Sequence, residues 1–377
     1  MVPLGDVREA ISEEALKAAE EIVKDVRDRG LPAALEWSRR LDGVAPDEPV
    51  SIPTLKPDVD LPVVEAALEA ARSLERLYVK ARPADVVDYY EGILRLLSWR
   101  PVERVALYVP ARYISTLVML AVPARIAGVS EIYVVTPPKG ATSELLAVAE
   151  KLGVKGVVRL GGPQGLAYAV FQLGVDMLAG PGGIYVQAAK YVLSRYVGID
   201  GIEGPTELVV YAEGVEPRRA AAGALAQLEH GPASFALVLS RDPGLLKEVE
   251  RIYASERTSS MGPLRTRLVS SLEEAAKIID ETAPEHLEVW GAPRLAQMVR
   301  NVGAISIDAP SPLLDYAAGI SHVLPTGGSA RWRGPVTPLT FMKPLGAAWL
   351  LADTKLREYA VRLAEYEGFK KHAEALR

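Results

Sequence analysis

VERVALYVP (102–110), EIYVVTPP (131–138), VKGVVRLGG (154–162) and VDMLAGP (175–181) decide the fold. Each is a short β-branched run that ends in Gly or Pro and is followed by a stretch of helical character. Four such units in succession predict a parallel sheet covered by helices, because parallel strands must return through crossovers that bury both faces. Downstream, a second alternation begins at GPTELVVYAE (204–213). It continues through PRRAAAGALAQLEH (217–230), SFALVLS (234–240), PGLLKEVERIYAS (243–255), LRTRLVS (264–270), SLEEAAKIIDE (271–281) and GAISID (303–308). Upstream, residues 7–42 read as helices, with Ala15, Ala18, Ile22 and Val26 at helical spacing and a break at Gly30-Leu31-Pro32. Residues 63–80 read as another helix, the α/β pattern starts after about residue 83, and the chain reads as helical again from about 338 to its end. The two alternations share an architecture without an alignable repeat, so two docked α/β domains with a cleft between their sheets are expected. The expected boundaries are 1–107 with 206–335 for the N-terminal helices and first α/β domain, 108–205 for the second, and 336–377 for a C-terminal helical segment.

At 377 residues and 49% hydrophobic composition, the chain has ample apolar surface for about two to four domains. No run of eighteen apolar residues appears, and MVPLGDVREA (1–10) lacks the order of a secretory signal, so a cytoplasmic protein with no membrane partner is expected. The absence of cysteine excludes disulfides and thiolate metal sites, which leaves His, carboxylate and amide ligands for any metal and points to an open catalytic centre. A net charge of −5 argues against a nucleic-acid partner. Asn301 is the only asparagine, and Gln164, Gln172, Gln187, Gln227 and Gln297 are the only glutamines. Depletion of thermolabile amides is a thermophile's habit, and predicts a melting midpoint above the mesophile range of about 45–65 °C in a thermal scan. Lineage composition bias is the plainer alternative; under either, a retained glutamine is more apt than usual to have a task.

The four histidines each sit in a motif with other polar groups: QLEHGPAS (227–234), TAPEHLEVW (282–290), DYAAGISHVLPTGG (315–328) and EGFKKH (367–372). Gln227 and His230, three apart near a helix end, share one face and have the spacing of a ligand pair, against the alternative of a helix-end histidine beside a capping Gly231. Asp315 follows the strand GAISID and is either a ligand or the cap of the next helix. His322 precedes a glycine-rich turn carrying Arg331 and Arg333, a turn that suits either an anion or a plain loop. Glu285 and His286 are neighbours whose side chains oppose one another in a strand but diverge by only about 100° at a helix start. Thr282 and Pro284 look like a capping box opening a helix there, with Glu285 as the box carboxylate; the functional reading is a carboxylate to activate water beside an imidazole to take protons. His372 lies near the end of the chain, where Gly368 breaks a helix between it and Glu367 and could turn both to one target.

In this order, QLEHGP, APEHLE, DYAAGISHVLPTGG and EGFKKHAEALR resemble histidinol dehydrogenases. The likeness runs from VKDVRDRGLPAALEWSRRLDGV (23–44) through GIDGIEGPTELVVYA (198–212) to the C-terminus. It implies two Rossmann-like parallel-sheet domains in an aldehyde-dehydrogenase-like arrangement without a GxGxxG fingerprint, with helical terminal segments. It further implies two successive NAD-dependent oxidations of L-histidinol, through histidinal, to L-histidine. By the same resemblance Zn²⁺ is held by Gln227, His230, Asp315 and His372, Glu285 and His286 are the catalytic pair, and Thr206, His322 and Glu367 join the zinc ligands and His286 around the substrate. Thr206 stands where the family usually has serine. NAD contacts fall on Tyr108, Gln164 and Gly183; the last replaces the asparagine of GPGNIYV, and ARYI (111–114) replaces a longer glycine-rich loop. A homodimer whose C-terminal tail completes the partner's site is also implied. An alcohol reaches a carboxylate through a hydrated aldehyde when no thiol is present, so one base must act repeatedly. The alternatives are a same-scaffold zinc/NAD dehydrogenase of another small alcohol, and a non-catalytic zinc-bound ligand-sensing homologue.

Overall fold

The computed structural model describes residues 11–54 and 59–377. The stretch 1–10, with its expected lack of a targeting signal and the start of the first expected helix, lies outside them. The chain forms two compact units, one running through residue 81 and resuming at 102–341, the other combining 82–101 with 342–377.

The first unit holds two sheets. The six-stranded sheet contains β1 (Val50–Ser51), β4 (Arg104–Tyr108), β5 (Glu131–Val135), β6 (Gly156–Val158), β7 (Met177–Ala179) and β8 (Gly198–Ile199), in the spatial order β1-β6-β5-β4-β7-β8. All neighbours are parallel except β1, which lies antiparallel on the β6 edge. The crossovers are α4 (Ile114–Ala127), α5 (Ser143–Lys151), α6 (Gly162–Gln172) and α7 (Ile184–Leu193). The N-terminal α1 (Glu13–Arg29) and α2 (Leu31–Leu41) add a layer over α6 and α7, while α3 (Leu61–Ala81) packs on α4 and α5. Strand order reverses between β4 and β7, so the helices diverge there and leave a crevice beyond the carboxyl ends of these two strands.

The five-stranded sheet is wholly parallel, with β9 (Glu207–Ala212), β10 (Phe235–Ser240), β11 (Leu264–Leu268), β12 (His286–Trp290) and β13 (Ala304–Ile307) in the order β11-β10-β9-β12-β13. Both faces are covered. Leu208, Val210, Ala236 and Val238 pack under α8 (Pro217–Leu228) and α9 (Pro243–Glu256), while Val209, Tyr211, Leu237, Leu287 and Val289 pack with α10 (Leu272–Thr282) on the other side. This double burial is why ELVVYA reads as an unbroken apolar run after its first residue. The short α11 (Ser311–Tyr316) follows β13.

The second unit is an antiparallel three-stranded sheet, β14-β3-β2, with β2 (Val86–Tyr90), β3 (Ile93–Pro101) and β14 (Met342–Leu350), followed by α12 (Leu356–Tyr366) and α13 (Lys370–Leu376). β2 and β3 turn at Glu91-Gly92, both with positive φ, as a two-residue hairpin of matching twist requires.

The structure corrects three expectations. The chain after 83 opens with a hairpin rather than with α/β alternation. Beyond 338, a 3₁₀ turn at Pro338–Phe341 leads into β14, whose nine residues pair with β3 from Met342↔Pro101 to Leu350↔Ile93, so the C-terminal segment is not helical throughout. Finally, Thr282 opens no helix: it is the last residue of α10, its hydroxyl donates to Ile278 O at 2.8 Å, and Ala283 closes the helix in the left-handed region at φ 49°. The Thr-x-x-Glu spacing is coincidental, and the next element is the strand β12, paired on both sides. Among the described residues no helix is long and apolar enough to cross a membrane.

Candidate active site

A cavity of about 620 Å³ lies between the two sheets of the first unit. Its walls have opposite polarity. The six-stranded sheet contributes its carboxyl edge at the reversal of strand order, through Pro110 and Tyr113 after β4 and Pro181, Gly182 and Gly183 after β7. The five-stranded sheet contributes its amino edge, through Thr206 before β9, Gly231–Ser234 before β10, and Glu285 and His286 at the start of β12. α8 ends at the same edge and delivers Gln227 and His230, and α11 runs back to it and delivers Asp315.

Burial dominates the electrostatics. His286 is 2% exposed; burial, with His322 and His230 nearby, pushes its imidazole down to about 3, so it is neutral at pH 7 with a lone pair available. Its Nε2 lies 4.0 Å from Glu285 Oε1 and 3.4 Å from Asp315 Oδ1. Burial pushes Asp315 up to about 7, with Glu288 adding to the rise and the Gln227 hydrogen bond opposing it. Glu285 is raised well above the usual carboxylate range by burial and by Asp315, against a 3.3 Å hydrogen bond from Glu207 N. Asp315 and His286 are therefore a close pair with opposite perturbations that both favour the uncharged form, and their contact is not an ion pair. His322 has Nδ1 2.8 Å from Asp315 O and Nε2 3.3 Å from Thr116 Oγ1. A carbonyl only accepts, so Nδ1 carries the proton and Nε2 accepts from the threonine hydroxyl. Burial lowers the His322 imidazole as well. His230 is exposed at the rim, yet enough protein surrounds the ring to hold it below its ordinary value, with Glu229 opposing.

Asp315 Oδ1 and His286 Nδ1 are buried without an aligned hydrogen-bond partner, an expensive arrangement unless a cation or ligand takes up the unused lone pair. Gln227 donates Nε2–H to Ser311 Oγ at 3.0 Å, which leaves its carbonyl oxygen as the amide's donor to a metal. Gln227, His230 and Asp315 line this one cavity, and an amide oxygen, an imidazole and a carboxylate are donor types that suit zinc. Among the described residues, no three His, Asp or Glu side chains cluster tightly enough to hold a metal unaided, so a complete set needs the Gln227 amide and a further donor.

The structure thus brings Gly183, Thr206, Gln227, His230, Glu285, His286, Asp315 and His322 to one cavity. Asp315 lies within α11 and caps no helix. Tyr108 and Gln164 are not among the lining residues. Both are buried: Gly162 N–H donates to the Tyr108 hydroxyl at 3.4 Å, and Gln164 Nε2 donates to Asp42 Oδ2 at 3.0 Å. Glu367 and His372 belong to the second unit, where both are exposed and Gly368, at φ 83°, separates α12 from α13. Arg331 and Arg333 are committed within the chain, Arg331 to Gly328 O and Glu281 O, Arg333 to a bidentate pair with Glu203 at 2.8 and 2.7 Å. Sequence reading passed over Glu203 and Thr116, which also line the cavity. Glu203 sits inside the quoted GIEGPTE and was open to discovery there, whereas Thr116 reaches His322 across 206 residues and carried no local signal.

Comparison with known proteins agrees with this geometry. The sequence profile of the histidinol dehydrogenase family matches residues 7–377. A histidinol dehydrogenase of Pyrobaculum aerophilum is 65% identical over 97% of this chain and 98% of its own length. Among solved structures, a histidinol dehydrogenase from Elizabethkingia anophelis superposes with a TM-score of 0.88 at 24% identity, covering 97% of this chain and 92% of that one. An NAD-dependent aldehyde dehydrogenase from Sinorhizobium meliloti shares the two-sheet fold more distantly, with a TM-score of 0.52 at 13% identity over 93% of this chain and 86% of that one. From its first described helix to its last, this chain belongs to the histidinol dehydrogenase family.

Proposed function

We propose that the chain oxidises L-histidinol through histidinal to L-histidine in two NAD-dependent steps, with zinc positioning the substrate. The observation that carries this reading is the convergence of Gln227, His230, Glu285, His286, Asp315 and His322 on one cavity in a chain of this family. Gln227 Oε1, His230, Asp315 and His372 are the proposed metal donors, and Tyr108, Gln164 and the Gly183 backbone the proposed NAD contacts. When bound, zinc orients the imidazole and amino nitrogens of the substrate, and NAD accepts a hydride in each oxidation. Holding reacting groups in line in this way is worth roughly 7–11 kcal/mol of barrier, more than base catalysis alone supplies.

His286, neutral and fixed at the start of a central strand, takes the proton of the carbinol hydroxyl and later that of the aldehyde hydrate. Glu285, whose raised carboxyl is a stronger base than an ordinary glutamate once ionised, takes a proton from the water that attacks the aldehyde carbon. His322, oriented by Asp315 O and Thr116, and Thr206 on the opposite wall shape the pocket around the substrate.

We infer that Glu367 and His372 enter the site from a second copy of the chain. The second unit exposes Trp349 at 67% and Tyr366 at 92%, with Val86, Val87, Leu363 and Phe369 also open, and a second copy seated there would take these apolar side chains out of water. A groove lined by Val63, Ala66, Ala67 and Ala70 of α3 opens onto Gln227, His230 and Asp315 and offers a seat for such a tail.

Histidinol-dependent NADH formation, measured with and without a chelator, tests the reading. Turnover abolished by the chelator and restored by zinc is expected. No absorbance change with histidinol and NAD would refute it.

A further inference from the structure

We propose that Gln187, Lys190 and Asp200 are positioning residues that hold the Gly180–Gly183 turn, the wall of the cavity on the dinucleotide side; the proposal rests on the reading given under Proposed function. Gln187 and Lys190 lie three apart on one face of α7 and are 1% and 0% exposed. A lysine buried this completely is costly unless its charge is met. Lys190 Nζ lies 2.6 Å from Asp200 Oδ1, an ion pair that falls outside hydrogen-bond alignment, and donates to Gly180 O at 2.9 Å. Asp200 Oδ2 accepts from Gly180 N at 2.7 Å. The ion pair therefore clasps one glycine by both its amide and its carbonyl.

That glycine is the first residue beyond β7, where the strand ladder has ended and the turn would otherwise depend on loop contacts alone. Its φ of 121° and the 2.3 Å that would separate a Cβ from Tyr108 O mean that no other residue fits. Two residues on, Gln187 Nε2 donates to Gly182 O at 3.2 Å, and Gln187 Oε1 accepts from Glu203 N at 2.9 Å. Arg333 closes the truss by donating to Asp200 O at 3.0 Å and Ile202 O at 3.1 Å while it holds Glu203. The turn at 180–182 and the segment at 200–203 are thus fixed to each other through side chains from one helix face.

An apolar pair of equal volume would serve stability as well as a buried ion pair does, so geometry is the better account of this one. Pro181, Gly182, Gly183, Glu203 and Gly204 all line the cavity. Gly183 offers only backbone, with open space where a Cβ would stand, so what the turn presents to a dinucleotide depends on where its peptide groups are held. Gln187 is also one of five glutamines kept in an amide-poor chain.

The test uses the zinc-loaded full chain and Gln187→Leu, which removes both bonds with little change of volume, with Lys190→Met as a second variant. The readouts are KM for NAD against KM for histidinol, NAD binding by titration without substrate, zinc content and Tm. In Gln187→Leu the NAD constant should weaken about tenfold, as loss of about 1.4 kcal/mol of positioning requires, while the histidinol KM moves less than about twofold and zinc is retained. A lowered Tm with both constants unchanged, or both weakened by one factor, overturns the proposal. Wild-type chain that binds NAD but fails to oxidise histidinol would sink the function proposed above and leave the NAD titration to decide this one. Wild-type chain that binds no NAD overturns both.

Discussion

Gly223 on α8 and Glu288 on β12 are matched in space: a Cβ on Gly223 would lie 2.2 Å from Glu288 Oε2. Glu288 is fully buried, accepts from Ser311 N at 2.6 Å and from Trp290 Nε1 at 3.1 Å, and so ties β12 to the start of α11. Ser311 in turn accepts from Gln227. The helix that carries Gln227 and the helix that carries Asp315 are both set by this carboxylate.

Gly223→Ala gains about 1 kcal/mol of helix propensity. The methyl must displace a buried, hydrogen-bonded carboxylate, and overpacking of that kind costs about 1–3 kcal/mol, so the variant should be less stable. It should also hold zinc more weakly. A melt and a metal titration check both, and unchanged values would show that Glu288 has room to move.

The same carboxylate predicts a pH dependence. Burial raises Glu288 above its ordinary value, so the folded chain binds its proton more tightly than the unfolded chain does. Its contribution is therefore complete below the unfolded value of about 4.3 and is lost as pH rises through the folded one. Across that rise, the Tm of the wild type should fall relative to that of Glu288→Gln. A difference that stays constant with pH would place the burden elsewhere.

His372→Ala should lose zinc and activity together, measured by metal analysis and by NADH formation. If the tail crosses to a partner, mixing inactive His372→Ala with inactive His286→Ala should restore about a quarter of the wild-type sites, because half the dimers are mixed and each has one intact site. No recovery in exchanged dimers would confine His372 to its own chain.

His286→Ala should keep zinc and lose both oxidations. Glu285→Gln should impair the oxidation of supplied histidinal by more than about 10²-fold, the usual worth of a positioned base, while sparing the alcohol step. Rates measured separately with histidinol and histidinal separate the two, and equal losses would contradict the assignment of water activation to Glu285.

β4 to β7, β9 and β10 were legible because, apart from their first or last residues, they are apolar and buried on both faces. β14 was hidden by Gly346, Ala347 and Ala348, which carry no β signal by themselves and become a strand only through pairing with β3. β12 was hidden by a capping pattern whose spacing Thr282 and Glu285 satisfy although Ala283 has already ended the helix. In the site, Gln227 with His230 and Glu285 with His286 were visible because each pair is local. Ser311, Thr116 and the truss of Lys190 and Asp200 act through contacts between separate elements, which no spacing in the sequence encodes.

The opposed edges of the two sheets divide the labour of the cavity between structures that can change independently. His286 begins a strand hydrogen-bonded on both sides, so its placement is inherited from the architecture, whereas the residues after β4 and β7 are turns outside the strand ladder, fixed where a side chain reaches them, as at Gly180. A side chain at Gly183, where a Cβ would meet open space, would leave the strand that places His286 on the other wall undisturbed. Under the proposed function, the dinucleotide wall is thereby free to be retuned while Glu285 and His286 keep their places.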